Sequence, residues 1–140
     1  MTTFPRILLV EDDADDAFLT QRIIRQSCPD CQVTLKVDGD EALVHLHGGE
    51  DLTAERADLV LLDVRLPVID GIKVLQTIRQ QEATAHLPVV MLSSSDYHRD
   101  VEAARRAGAT YYLRKPLTRE EFSRVLKEIA IPSPPASNRP

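Results

Sequence analysis

Residues 58–71 read Asp-Leu-Val-Leu-Leu-Asp-Val-Arg-Leu-Pro-Val-Ile-Asp-Gly, a solid aliphatic run that stops on a carboxylate and then enters a turn. A strand with one face in water alternates apolar and polar residues. Four aliphatic side chains in succession instead suit a strand covered on both faces, as in a parallel sheet. The end of such a strand is a rim position, and open parallel sheets bind their ligands just beyond the carboxyl ends of the strands. Asp63 stands where the run stops and is the foremost candidate for chemistry. Pro67 and the Asp70-Gly71 pair punctuate the loop before a helix, so a bland role for Asp63, merely opening that turn, has to be weighed against what the rest of the chain offers.

The same grammar recurs along the chain. Residues 6–10, Arg-Ile-Leu-Leu-Val, form a second aliphatic run, followed by Glu11-Asp12-Asp13-Ala14-Asp15-Asp16. Asp13 sits where a helix amino cap belongs, with Asp16 three residues on, and acids in a first turn complement the helix dipole. Ala17, Phe18, Ile23 and Ile24 then recur at helical spacing. That explanation leaves Glu11 and Asp12 crowded on a strand end, in need of a cation or a function. The spacing does not fit a calcium loop.

Residues 32–37 alternate as an edge strand should, and Asp38-Gly39-Asp40 opens a helix with Ala42, Leu43 and Leu46 on one side. Gly48-Gly49 ends it, and residues 50–57 make a polar connection. Ile72, Val74, Leu75 and Ile78 build a third helix. Residues 88–92 make a fourth strand ending in Ser93-Ser94-Ser95-Asp96, and a helix over 97–107, sparse in apolar surface and so expected to be loosely held, ends at Gly108. Residues 110–114 make a fifth strand. Lys115 precedes Pro116, which biases it to extended geometry off the strand tip. Residues 118–130 form a last helix, with Thr118 and Glu121 as a capping box and Phe122, Val125, Leu126 and Ile129 inward.

At 140 residues, with 43% hydrophobic and 28% charged residues, the chain is one soluble domain, expected over 1–130, with 131–140 as a flexible tail too poor in apolar groups to fold. A net charge of -5 argues against nucleic acid as a partner. No apolar run is long enough to span a bilayer and the start lacks a charged-then-apolar leader, so a cytoplasmic location is expected, with no membrane partner. Cys28-Pro29-Asp30-Cys31 follows a helix instead of preceding one, the wrong end for lowering a thiol pKa, and reads as two ordinary cysteines in a turn. His45 and His47, two apart, point to different helix faces and read as solvated side chains, not a metal pair.

Five strands alternating with five helices imply a doubly wound parallel sheet in an α/β fold. Its strand ends gather Glu11 and Asp12, Asp63, Ser93 and Lys115. Three acids in one cleft repel one another unless a hard cation sits among them, and magnesium takes one or two carboxylates plus phosphate oxygens. A carboxylate can act as nucleophile toward phosphorus, giving an aspartyl phosphate. Placement and charge neutralisation then carry most of the catalysis. Magnesium and Lys115 supply positive charge, and the Ser93 hydroxyl can donate to a phosphoryl oxygen that exists only after transfer.

In these residues the chain resembles the receiver domain of two-component response regulators, over about residues 6–130. The resemblance implies a flavodoxin-like fold of strand order 2-1-3-4-5. It makes Glu11 and Asp12 the magnesium-binding pair, Asp63 the phosphoacceptor, Arg65 the donor of a backbone carbonyl to the metal, Ser93 the phosphate sensor, Lys115 the phosphate partner and Tyr112 the rotameric switch, with a cis peptide before Pro116. Glu at position 11 and Ser at 93 depart from the commoner Asp and Thr while keeping the chemistry. The long connection from residue 48 to 57, with Val10-Glu11-Asp12 and no output domain, is similar to the small regulators paired with bacterial phytochrome histidine kinases. The resemblance implies a sensor histidine kinase as partner and a homodimer through the fourth helix, fifth strand and last helix.

The expected function is therefore phosphoryl acceptance on Asp63 from a histidine kinase and signalling by protein contacts. It is not an enzyme beyond self-phosphotransfer and autodephosphorylation. A magnesium-dependent phosphatase with an aspartyl nucleophile would want a second acid two residues after Asp63, where Arg65 stands. A flavin or nucleotide module of the same fold would want a hydroxyl- or glycine-rich cradle after the first strand, where carboxylates stand.

Overall fold

The computed structural model describes residues 5–48, 57–94 and 98–130. Among them strands and helices alternate: β1 Arg6–Val10, α1 Ala14–Ser27, β2 Gln32–Lys36, α2 Gly39–His47, β3 Leu59–Asp63, α3 Gly71–Gln80, β4 Val89–Ser93, α4 His98–Ala107, β5 Tyr111–Arg114 and α5 Arg119–Ala130. A short 3-10 turn, Glu82–Thr84, stands between α3 and β4 without warning from the sequence pattern. All strand pairs are parallel and the order is β2-β1-β3-β4-β5, the expected flavodoxin-like α/β sheet. No described helix is long and apolar enough to cross a membrane. The expected tail at 131–140 and most of the connection before β3 lie outside the described residues.

The unbroken aliphatic runs are explained by two cores, one on each face of the sheet. Leu8 and Val10 of β1 and Val60 and Leu62 of β3 pack with Ala42 and Leu46 of α2, Val74, Leu75 and Ile78 of α3 and Ala104 of α4. Their alternates, Ile7, Leu9, Leu59 and Leu61, pack with Ile24 of α1 and Phe122 and Val125 of α5. Every residue of β3 is buried, whereas the edge strand β2 exposes Gln32 and Leu35. Polarity along a strand thus records how many helices cover it.

Caps fix where each helix starts relative to the rim. Asp13, Asp38 and Asp70 each accept a hydrogen bond from the N–H three residues on, at 2.9, 2.8 and 3.0 Å, an arrangement worth about 1 kcal/mol per helix. Thr118 Oγ1 accepts from the Glu121 N–H at 3.1 Å while Glu121 accepts from the Thr118 N–H at 3.3 Å, the anticipated capping box. Gly108 closes α4 at a φ of 100°, a left-handed conformation natural to glycine. Helix α4 buries only Ala104 fully, in line with its sparse apolar content.

Three expectations are corrected. Phe18 is 61% exposed; the buried stripe of α1 is Ala17, Thr20 and Ile24, and Phe18 is turned about 100° from Ala17. Cys28 and Cys31 are not two separate thiols but a disulfide. Cys28 N–H donates to Ile24 O at 2.7 Å and Cys31 N–H to Cys28 O at 3.1 Å, bends that bring the two Cα atoms to 5.4 Å, inside bridging range. His47 is not simply solvated: its Nε2 lies 2.9 Å from Thr84 Oγ1, which itself donates to Ile78 O at 2.7 Å. Since that hydroxyl has one proton and gives it to Ile78, His47 Nε2–H is the donor.

Candidate functional site

The carboxyl ends of β1, β3, β4 and β5 carry the residues singled out from the sequence. Glu11 extends β1 by one residue, its N–H donating to Lys36 O at 3.0 Å, and is 1% exposed. Asp12, next in the chain, is exposed. Asp63 closes β3 and is 6% exposed. One carboxylate oxygen from each of Glu11, Asp12 and Asp63 falls within a common 4.8 Å.

Glycine 71 brings the following helix hard against this corner. A Cβ there would stand 2.1 Å from the Asp63 carbonyl oxygen, so any side chain would push the loop away from the site. The loop turns back tightly, Gly71 N–H donating to Val64 O at 2.8 Å and Arg65 N–H to Asp63 Oδ1 at 3.2 Å. The first bond closes the loop and the second holds the Asp63 carboxylate at the mouth of the sheet. The Arg65 guanidinium is directed elsewhere, 3.3 Å from Asp100 Oδ2 on α4.

Ser93 ends β4 and is 1% exposed; its carbonyl accepts from the Lys115 N–H at 2.7 Å, which continues the β4–β5 ladder one step past the last strand residue. The Lys115–Pro116 peptide is cis, as the resemblance implies. Lys115 Nζ lies 2.7 Å from Glu11 Oε1, 2.9 Å from Asp16 Oδ2 and 3.2 Å from Asp63 Oδ2. Tyr112 pairs in register with Met91 and packs, half-buried, against the core under α3 and α4. By strand alternation Met91 and Ser93 share that face, so Tyr112 and Ser93 lie on the same side of the sheet.

In this cluster the carboxylates of Glu11, Asp12, Asp16 and Asp63 outnumber the single Lys115 ammonium. Burial pushes the Glu11 carboxyl up to about 7, with the Asp63 carboxylate adding to the rise and the Lys115 ammonium opposing it. For Lys115, burial works against the charged form, yet the surrounding carboxylates of Glu11, Asp16 and Asp63 outweigh it and hold the ammonium well above its usual range. Glu11 Oε1 is fully buried, with the Lys115 ammonium 2.7 Å away. A buried carboxylate oxygen with unused lone pairs, facing two further acids, fits a hard divalent cation.

Asp16 is the member of this cluster that sequence reasoning passed over, because a first-turn acid is fully accounted for by the helix dipole. The available signal was its place beside Ala17 and four residues before Thr20, at the margin of the buried stripe of α1.

Comparison with known proteins agrees with this geometry. The family model described as response regulator receiver domain matches residues 7–127. The response regulator Rcp1 of Synechocystis sp. (strain ATCC 27184 / PCC 6803 / Kazusa) is 34% identical over 124 residues, 88% of this chain and 84% of that protein. The solved structure of the phosphorylated cyanobacterial phytochrome response regulator RcpA is 32% identical with a TM-score of 0.76, covering 93% of this chain and 94% of that one. The receiver domain of sensor histidine kinase PA1611 from Pseudomonas aeruginosa PAO1, solved with magnesium coordinated in its active site cleft, is 33% identical with a TM-score of 0.76 over 91% of this chain and 99% of that one. With the family model matched over residues 7–127 and so across both cores of the sheet, the chain belongs to the response regulator receiver domain family.

Proposed function

We propose that the protein is a two-component response regulator that accepts a phosphoryl group on Asp63 from a sensor histidine kinase, in the manner of the phytochrome-linked regulators it resembles. The observation that carries this reading is the meeting of Lys115 Nζ with both Glu11 and Asp63, three residues from three separate strand ends within ion-pair distance. In the transfer, an Asp63 carboxylate oxygen attacks phosphorus, the bond to the kinase imidazole breaks, and the imidazole leaves with its electron pair. Hydrolysis of the resulting acyl phosphate by water returns the carboxylate and inorganic phosphate. A magnesium ion, held by Glu11, Asp12, Asp63 and the Arg65 carbonyl, would neutralise charge on the phosphoryl oxygens.

The chain's own groups do the rest. The Arg65 N–H fixes the Asp63 carboxylate so that little reorganisation precedes attack. Lys115 brings a permanent positive charge to the phosphoryl group, and the Ser93 hydroxyl donates to one of its oxygens. As Ser93 moves, Tyr112, on the same face of the sheet, turns inward and alters the surface of α4, β5 and α5, which would serve as the homodimer contact. A coupling of about 1–3 kcal/mol suffices to change partner affinity usefully. No steady turnover of added phosphate esters is expected, and the site of action is cytoplasmic.

Incubation with magnesium and a small acyl phosphate should add one phosphoryl group to the intact protein, mapped to the Asp63 peptide and absent from Asp63→Asn. Labelling at another residue, or sustained hydrolysis of phosphate esters, would overturn the reading.

A further inference from the structure

Lys115 Nζ is surrounded by more carboxylate than one ammonium neutralises, and its three partners differ in what they can do when it moves. The Glu11 side chain is 1% exposed and that of Asp63 8%, whereas that of Asp16 is 41% exposed. Asp16 also borders a cavity of about 750 Å³ between α1 and the β5–α5 loop, which Lys115 lines from the opposite wall. Water can take over the Asp16 carboxylate at little cost; for the buried pair the same release would strand a charge.

The backbone under Asp16 is fixed. Its N–H donates to the Asp13 cap at 2.9 Å, and Ala17, next in the chain, is 3% exposed. Asp16 therefore offers its carboxylate to Lys115 from a rigid first turn, and only the side chain has freedom to swing away.

We propose that Asp16 is a positioning residue that holds part of the Lys115 ammonium in the unmodified protein and yields it to the phosphoryl group once Asp63 is modified. It thereby sets how strongly the site retains the phosphorylated state. This rests on the reading of Asp63 as phosphoacceptor and adds a competitor for the lysine, located on α1, outside the set of strand-end residues. Phosphorylation brings negative charge to the ammonium, and the exposed partner is the one released. A regulator with Asp16 in place gives up part of its grip on the phosphoryl group, which keeps the modified state reversible.

The test titrates beryllofluoride, a phosphoryl mimic, into the magnesium-loaded full-length protein and reads affinity from amide chemical shifts. Asp16→Asn should bind it about two- to fivefold more tightly, the size of a half-exposed ion pair, while Asp16→Glu returns toward the wild-type affinity. Asp15→Asn removes the same charge from the same exposed turn and should shift affinity by less. In a Lys115→Met background Asp16→Asn should have no effect, and thermal unfolding checks that each variant is folded. Equal affinities for wild type and Asp16→Asn, a shift as large in Asp15→Asn, or persistence of the effect without Lys115 would each overturn the inference. Failure of the wild type to bind at Asp63 would overturn the phosphoacceptor reading and this inference with it.

Discussion

Two cations sit at opposite ends of the sheet and are treated in opposite ways. At the carboxyl rim Lys115 faces Glu11, Asp16 and Asp63, an unbalanced cluster in which burial raises the Glu11 carboxyl. At the amino end Arg79, on the last turn of α3, meets neutral acceptors: Gly108 O at 3.0 Å through Nε, and Leu87 O at 2.7 Å with Thr84 O and Ala85 O at 3.3 Å through Nη1. Burial lowers the Arg79 pKa, but the fork remains a complete set of bonds tying α3, the 3-10 turn and the α4–β5 loop together. Around the arginine every bond runs to a neutral acceptor; around the lysine the carboxylates outnumber the ammonium. That contrast separates a staple from a working site more sharply than charge or burial does separately.

Removing the staple should give the largest loss of stability. Arg79→Ala leaves four carbonyls, from the stretch of the 3-10 turn and from the α4–β5 loop, without their donor, and a drop of about 2–4 kcal/mol in urea unfolding is expected, with phosphoryl labelling of the folded fraction unchanged. Loss of labelling alongside full stability would erase the distinction between the two ends.

At the other end the stability effect should depend on pH. The Glu11 carboxyl is raised from 4.5 to about 7. A raised folded pKa means the folded state binds the proton more tightly, so this contribution is complete below about pH 4.5 and is lost as pH climbs through about 7. In chelator-treated protein the wild type should lose about 3 kcal/mol relative to Glu11→Gln between these limits. A constant difference between the two proteins would show that folding does not raise the Glu11 carboxyl.

Smaller still, Thr84→Val takes the acceptor from His47 and the donor from Ile78, and should cost about 1–2 kcal/mol in the same unfolding assay, at the amino end only. An altered magnesium response in that variant would mean the two ends are coupled.

What was legible in the sequence follows the same division. The two-faced aliphatic runs dictated β1, β3 and β4, and the polar residues ending them marked Glu11, Asp12, Asp63 and Ser93, while Pro116 after the fifth strand marked Lys115, because a strand's end is visible in one dimension. Asp16 was masked by its second role in the first turn of α1. Arg79 was invisible because its acceptors are loop carbonyls, which carry no residue-type signal and converge only in the folded chain. Cys28 and Cys31 read as ordinary cysteines because the motif sits at the wrong helix end for thiolate activation, whereas bridging needs only that the turn bring two Cα atoms to 5.4 Å. Phe18 fitted a helical spacing but not the face that the sheet covers.

The sharpest single measurement is the melting temperature of the metal-free protein as magnesium is added, in the wild type and in Asp63→Asn. If the clustered acids Glu11, Asp12 and Asp63 bind the ion in the folded state, the wild type should rise by several degrees and saturate, with the variant largely unresponsive. A flat wild-type curve, or an equal rise in both proteins, would contradict the reading that Glu11, Asp12 and Asp63 form a cation-dependent phosphoryl-acceptor site.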